Sequence, residues 1–115
     1  MKREAVKQTV RAAHVLAISE QEAARIAGEW VRRHLPDRLC AGEPTLTAAG
    51  DLWRVPILLA YPFLLVGEVG EVCIAADSGE VVSHTNVKTM KIKAQRLGTD
   101  RRAEIEAAFA ATRDR

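Results

Sequence analysis

The feature that most constrains the fold is a strand–turn–strand pattern in the second half of the chain. Two apolar-rich runs, residues 71–76 and 80–84, flank the turn sequence Asp77-Ser78-Gly79. Glycine in such a turn supplies a positive φ, and Asp hydrogen-bonds the backbone ahead of it, so the pattern predicts a tight β-hairpin. The apolar face of this hairpin needs cover from another element.

A second strand pattern lies upstream, over Leu52–Tyr61. Its alternation places four apolar residues on one face: Trp53, Val55, Ile57 and Leu59. Pro56 falls within the run and cannot donate to a ladder, so it predicts an edge position or a bulge. A shorter strand is predicted over Thr45–Ala48, and a turn at residues 49–51 joins the two.

The remaining segments of this region predict irregular structure. Residues 37–44 contain an Asp, a Gly and a Pro that interrupt regular elements, so they predict a loop. A connection begins at Tyr61 and includes Gly67 and Gly70. The strand after it is predicted to become regular only at Glu71.

An amphipathic helix is predicted over about Glu20–Leu35. Ser19 caps its first free amides, Glu22 completes a capping box, and Pro36 stops it. Apolar residues at steps of three and four form one stripe: Ala23, Ile26, Ala27, Trp30, Val31 and Leu35. Packing this stripe against the apolar strand face buries both, so we expect the Trp30 side of the helix to lie on the hairpin strands.

These elements predict an α+β fold in a single domain of 115 residues. An amphipathic helix packs on a small curved antiparallel sheet of three to four strands, in a core over residues 18–84. Residues 1–17 predict an N-terminal helix or arm, and residues 85–115 a C-terminal helical hairpin.

The predicted hairpin contains two helices. The first runs over about Val87–Leu97 and ends at Gly98, since a left-handed glycine often stops a helix. The second is capped by Thr99 or Asp100. It turns three apolar residues inward: Ile105, Ala108 and Phe109.

The order of a capped helix, a strand hairpin and a strand–Asp-x-Gly–strand unit resembles the PepSY domain family. The residues that carry the resemblance are Ile18–Ala27, Leu52–Ile57 and Gly70–Val82, so it covers about residues 18–84. The resemblance implies a helix lying across a curved antiparallel sheet. It also implies a non-catalytic module, often associated with inhibiting or regulating a peptidase, and it carries over no catalytic residues.

No residue pattern predicts an enzyme active site. Three histidines occur outside any metal-ligand spacing: His14, His34 and His84. There is no Gly-x-Ser-x-Gly motif, and Gly67-x-x-Gly70 lacks the Lys-Ser/Thr continuation of a phosphate loop. Cys40 and Cys73 are in no CxxC spacing and predict reduced thiols. We therefore expect a protein without catalytic activity, cofactor or metal.

No segment of the sequence predicts export or a membrane span. Met1–Leu16 is charged and lacks the apolar region of a signal peptide. The longest apolar run, Val55–Val66, contains two prolines and is too short to cross a bilayer. We expect a cytoplasmic protein without membrane contact.

The connection over residues 61–66 predicts a contact surface. Phe63, Leu64 and Leu65 are consecutive, so they cannot all face one core. The alternative is burial under the terminal helices. If the stretch is exposed, the candidate residues for binding a protein partner or a second copy are Tyr61, Phe63, Leu64 and Leu65.

Basic residues cluster late in the chain although the net charge is only +2. The cluster contains Lys88, Lys91, Lys93, Arg96, Arg101 and Arg102. Solvated helix faces explain such a cluster, and nucleic-acid contact is the alternative. The leading expectation is therefore a non-enzymatic protein-binding or regulatory module, and the alternative is a nucleic-acid-linked or antitoxin-like regulator.

Overall fold

The computed structural model describes residues 17–113, so all but Ala17 of the helix or arm predicted for residues 1–17 lies outside the described part of the chain. The elements follow in the order α1 (Glu20–His34), β1 (Leu39–Ala41), β2 (Thr45–Leu46), β3 (Leu52–Tyr61), β4 (Leu64–Ala75), β5 (Val81–His84), α2 (Val87–Asp100) and α3 (Arg102–Arg113). The predicted α+β fold is confirmed.

The five strands form one antiparallel sheet with β3 and β4 at its centre. β5 pairs with β4, while β1 and β2 pair one after the other with the far side of β3. The prediction of a loop over residues 37–44 is wrong at Leu39–Ala41. These three residues become a strand by pairing with Ile57–Leu59, and a local pattern cannot show a pairing so distant in sequence.

Pro56 lies in a central strand, and the prediction of an edge or a bulge at this residue is wrong. β1 pairs with β3 as far as Ile57, and β2 pairs from Arg54, so residues 42–44 leave a gap opposite Pro56. The Gly42 N–H donates to the Pro56 carbonyl oxygen at 2.7 Å. Because the nitrogen of Pro56 faces this gap, its missing N–H removes no ladder hydrogen bond.

β4 is 12 residues long and begins at Leu64, well before the predicted start at Glu71. Its register against β3 shifts twice, which leaves Val66 and Val69 as extra, bulged residues. The sequence of residues 66–72 is Val-Gly-Glu-Val-Gly-Glu-Val, a repeat of three in a structure that alternates every two. Each bulge absorbs one residue, so the valines and glycines share one face of the sheet and the glutamates lie on the other.

α1 begins and ends close to its predicted bounds. The Glu22 N–H donates to the Ser19 hydroxyl at 3.0 Å, as predicted for the cap. The Glu22 carboxylate accepts instead from Arg25, at 2.6 Å, so the second half of the predicted capping box is wrong. This ion pair lowers the pKa of Glu22.

α1 and α2 cover the same face of the sheet. The core between them and the strands is mainly aliphatic, and its largest fully buried side chains are Val55, Ile57, Val72, Ile74 and Met90. The Trp30 ring stacks on His34 at 4.5 Å and lies tilted against His84 of β5 at 4.6 Å, measured between ring centroids. The Trp30 side of α1 therefore lies on the hairpin strand, as predicted.

α2 approaches β4 closely at two glycines. A Cβ atom at Gly70 would lie 2.6 Å from the Met90 sulfur and 2.8 Å from Thr85 Cβ. A Cβ atom at Gly67 would lie 3.2 Å from a terminal carbon of Leu97. The sequence pattern assigns these glycines to a connection. In the structure they lie in β4, and their lack of a side chain lets α2 pack closely against this strand.

α2 continues through Gly98 to Asp100, so the predicted end of this helix is wrong. Thr99 and Asp100 lie inside α2 and do not cap α3, which begins at Arg102. Gly98 does not adopt a positive φ. A glycine that keeps helical dihedrals does not stop a helix and only weakens it.

Replacing Gly98 by Ala is expected to raise the free energy of unfolding by about 0.5–1 kcal/mol, the usual gain in a helix interior. An added Cβ meets no heavy atom within 4 Å. Urea denaturation measures the change. Gly67→Ala is the control, because its Cβ would crowd Leu97, and destabilisation by Gly98→Ala would contradict the helical conformation of Gly98.

Candidate functional site

Three aromatic side chains meet where the β3–β4 turn touches α3. The ring centroids of Phe63 and Phe109 are 4.8 Å apart, and those of Tyr61 and Phe109 are 5.7 Å apart, both in edge-on geometry. We name Tyr61, Phe63 and Phe109 the aromatic corner. It contains every Phe and Tyr residue of the chain.

The rings of the aromatic corner are partly open to solvent. Phe63 is 37% exposed and Phe109 is 39% exposed, whereas Tyr61 is half-buried against the core. The Arg38 guanidinium lies over the Tyr61 ring, 4.8 Å from its centroid. Clustered rings with polar atoms at their rim are typical of protein contact surfaces.

Short, well-fixed elements position these rings. Tyr61 and Leu64 face each other across a two-residue turn, which places Phe63 at the tip of the β3–β4 hairpin. In α3, the buried side chain of Ile105 packs on the core. Phe109 lies one helical turn further on and reaches the hairpin tip.

The prediction that Phe109 faces inward is wrong. Ile105 is buried, but Phe109 is exposed because α3 has passed the core by that turn. The helical periodicity gives the side of α3 on which Phe109 lies, but it cannot give where the core ends along the helix. Sequence reasoning therefore missed Phe109 as a site residue.

The structure divides the other residues predicted in the 61–66 connection. Leu64 is half-buried and packs against the core together with Tyr61. Leu65 pairs with Ala60, so both side chains lie on the face of the sheet opposite to Tyr61 and Leu64. Leu65 is 59% exposed on that face. Leu65 is thus separated from the aromatic corner by the sheet itself.

Arg101 fixes α3 to the sheet. Its guanidinium donates to the Val66 carbonyl oxygen at 3.1 Å and to the Glu104 carboxylate at 2.9 Å. The Glu104 carboxylate raises the pKa of Arg101, and Arg101 lowers the pKa of Glu104. Arg101, a candidate for nucleic-acid contact, is thus bound to Val66 and Glu104 of its own chain.

Acid should weaken this ion pair. Because the pKa of Glu104 lies below its ordinary value of 4.5, the pair stabilises the fold above that pH and is lost as the pH falls through the lowered pKa. Glu104→Gln should therefore show a smaller loss of melting temperature than the wild type on acidification below about pH 4.5. Glu80→Gln is the control, because Glu80 is exposed and forms no ion pair within residues 17–113, and it should behave as the wild type does. Equal acid sensitivity of all three proteins would contradict a stabilising pair.

The remaining basic candidates are on the helices. Lys88, Lys91, Lys93 and Arg96 are exposed on α2, and Arg102 is exposed at the start of α3. The ion pairs found within residues 17–113 involve none of them. Ile92, an apolar residue, is 46% exposed among the lysines.

The face of the sheet opposite α1 and α2 carries a cluster that sequence reasoning missed. Arg54 binds the Glu68 carboxylate at 2.6 Å and the Glu71 carboxylate at 2.5 Å, and both raise its pKa. The thiol of Cys73 lies 3.7 Å from Glu71. The signal for this cluster was the three-residue repeat, which turns both glutamates to the same face.

Across residues 17–113, no three His, Cys, Asp or Glu side chains come together as a metal site, and Cys40 and Cys73 are free thiols. No helix in this range has the length and apolar character needed to cross a membrane. No protein-family model, curated protein or solved structure matches the chain.

Proposed function

We propose that the protein is a non-catalytic module that binds another protein through the aromatic corner. The observation that carries the proposal is the placement of every Phe and Tyr residue at one surface site in a chain with only 4% aromatic residues. Aromatic rings stabilise a core strongly when they are buried. Two of these rings are exposed, so the fold does not gain the full stability of burying them. Exposed aromatic clusters are typical of sites that bind other proteins.

The rigidity of the corner supports this role. The turn that carries Phe63 joins two long paired strands, and α3 is held by Ile105 and by the Arg101 hydrogen bond to Val66. Rings held in place before binding lose little conformational entropy when a partner arrives. The aromatic corner is therefore suited to a specific contact.

A regulatory role and a cytoplasmic location are further parts of the proposal. The PepSY resemblance implies a non-catalytic module, often associated with inhibiting or regulating a peptidase, and this supports a regulatory role. The two free thiols, of which Cys40 is exposed, favour a reducing compartment.

Substitutions in the aromatic corner test the proposed function. Phe63→Ser and Phe109→Ser replace exposed rings, so both variants should fold, and Ile92→Ser is the matched control at an exposed apolar residue of α2. We expect affinity capture from the native cell to recover the same protein with the wild type and with Ile92→Ser. Recovery should fall by about tenfold with either corner variant, as for a hot-spot residue. Equal recovery by all four proteins would contradict the proposal.

A second candidate function is nucleic-acid binding through α2. The observation that favours it is a group of exposed basic residues on α2 that form no ion pair within residues 17–113: Lys88, Lys91, Lys93 and Arg96. Fluorescence anisotropy with single-stranded and duplex probes should then show affinity that falls steeply with salt and is lost in the variant Lys91→Glu/Arg96→Glu. The absence of binding at low salt would remove this candidate.

A further inference from the structure

A groove beside the aromatic corner bears on which partner binds there. It encloses about 330 Å³ in the angle between α2 and α3, and its lining includes Tyr61, Gly98, Arg102, Glu106 and Phe109. The site of a Cβ atom at Gly98 is open space. The groove therefore has an aromatic wall, a charged rim and room for a side chain from a partner.

We propose that the occupant is a second copy of this chain, bound about a two-fold axis that sets the two α3 helices antiparallel, with Phe109 of each copy facing the groove of the other. The inference rests on the proposed function and names its partner. In such a dimer the same patch serves both subunits, so the patch must be complementary to itself. Three features of the corner and groove meet that requirement.

The first feature is the charge at the rim. Arg102 and Glu106 are one helical turn apart on α3, both are exposed, and neither forms an ion pair within residues 17–113. A two-fold axis that sets the two α3 helices antiparallel brings Arg102 of one copy toward the partner's Glu106, and the reverse. A rim of mixed sign thus fits an identical rim, whereas the Glu106 carboxylate would repel a phosphate.

The second feature is the apolar surface on either side of the axis. Phe63 and Phe109 are exposed on each copy and pack against each other edge to face. With the axis between Arg102 and Glu106, Phe109 of each copy lies opposite the start of the partner's α3, where the groove opens. Both ring pairs then leave water, and buried aromatic rings are the residues that contribute most to affinity.

The third feature is the sparse packing of α3. α3 has 12 residues, and among residues 102–112 only the side chain of Ile105 is buried. A helix of this length is marginal without packing on its apolar side. A second α3 covers the side that carries Phe109, so dimerisation supplies contacts that one copy lacks.

Sedimentation equilibrium on the full chain, from micromolar to millimolar protein, tests the dimer. We expect the wild type and Gly98→Ala to dimerise equally, since a methyl group leaves the groove open. Gly98→Met fills the groove with a side chain that favours helix and should weaken dimerisation by about tenfold. Circular dichroism and urea denaturation establish that each variant is folded.

A charge swap tests the two-fold arrangement without filling the groove. Arg102→Glu should weaken the dimer by about tenfold, and the double variant Arg102→Glu/Glu106→Arg should restore it to about the wild-type constant, because the pairing is reciprocal. A wild type that stays monomeric at every concentration, or dimerisation unchanged by Gly98→Met and by Arg102→Glu, would overturn the inference. The chain could instead be monomeric while Phe109→Ser fails to capture a protein that the wild type captures from the native cell. That result would exclude the second copy as the partner and leave the proposed binding function standing.

Discussion

Gly70→Ala is expected to lower the free energy of unfolding by about 2–3 kcal/mol, as an overpacked core residue does. The added methyl group would lie 2.6 Å from the Met90 sulfur, 2.7 Å from Met90 Cγ and 2.8 Å from Thr85 Cβ. Met90 is fully buried, so α2 must shift away from β4 to make room. Urea denaturation followed by tryptophan fluorescence measures the change.

Two controls separate crowding at Gly70 from a general effect of replacing a strand glycine. Gly67→Ala adds the same methyl group near the flexible end of Leu97, at 3.2 Å, so its cost should be smaller. In the double variant Gly70→Ala/Met90→Ala the crowding against Met90 is relieved, and the loss should be less than the sum of the two single losses. If Gly70→Ala and Gly67→Ala lowered the free energy of unfolding equally, the close packing of α2 on β4 at Gly70 would be contradicted.

Trp30→Ala is expected to lower the free energy of unfolding by about 3 kcal/mol, at the low end for removing a large aromatic side chain that packs on a core. The indole lies between His34 and His84 and joins the C-terminal turn of α1 to β5. Differential scanning calorimetry and urea denaturation of the same variant measure the loss.

His34→Ala is the matched control for Trp30→Ala. It removes one ring stacked on the indole but leaves the contact of Trp30 with His84 and with the core. Its cost should stay near the value of one aromatic pair, about 1 kcal/mol. A Trp30→Ala variant as stable as the wild type would show that α1 does not use this residue to hold the hairpin.

The elements that could be predicted from the sequence are those whose signal is local. The Ser19 hydroxyl caps α1, Gly79 takes the positive φ of the hairpin turn, and the alternation in Leu52–Tyr61 gives the buried face of β3. In each case a few neighbouring residues determine the conformation, and tertiary packing agrees with the local preference.

The elements that could not be predicted depend on distant partners. β1 is three residues long and is a strand only beside β3. The repeat of residues 66–72 looks like a glycine-broken connection until the register with β3 shows two bulges. Glycine is the residue type that most often ends a helix, so the sequence predicts an end at Gly98. The hydrogen bond from the Arg101 N–H to the Leu97 carbonyl oxygen instead continues the helix past it.

The candidate site was predicted in part for the same reason. The stretch that contains Tyr61 and Phe63 predicts a contact surface, because its consecutive apolar residues cannot all face one core. Phe109 is 46 residues further along the chain than Phe63. The two rings meet only because β4 returns along β3 and α2 then leads back to the hairpin tip, so no local pattern joins them. Leu65 is adjacent to them in sequence, but its place on the opposite face of the sheet follows only from its pairing with Ala60 in the β3–β4 register.

Photo-crosslinking at position 109 tests the central claim, that the aromatic corner is a protein-contact surface. A benzoylphenylalanine side chain at Phe109 keeps an aromatic ring at an exposed site, and the same group at Ile92 is the control at a similar exposure on α2. Irradiation in the native cell should give discrete protein adducts from position 109 and far fewer from position 92. Adducts of equal yield at both positions, or none at position 109, would contradict the claim.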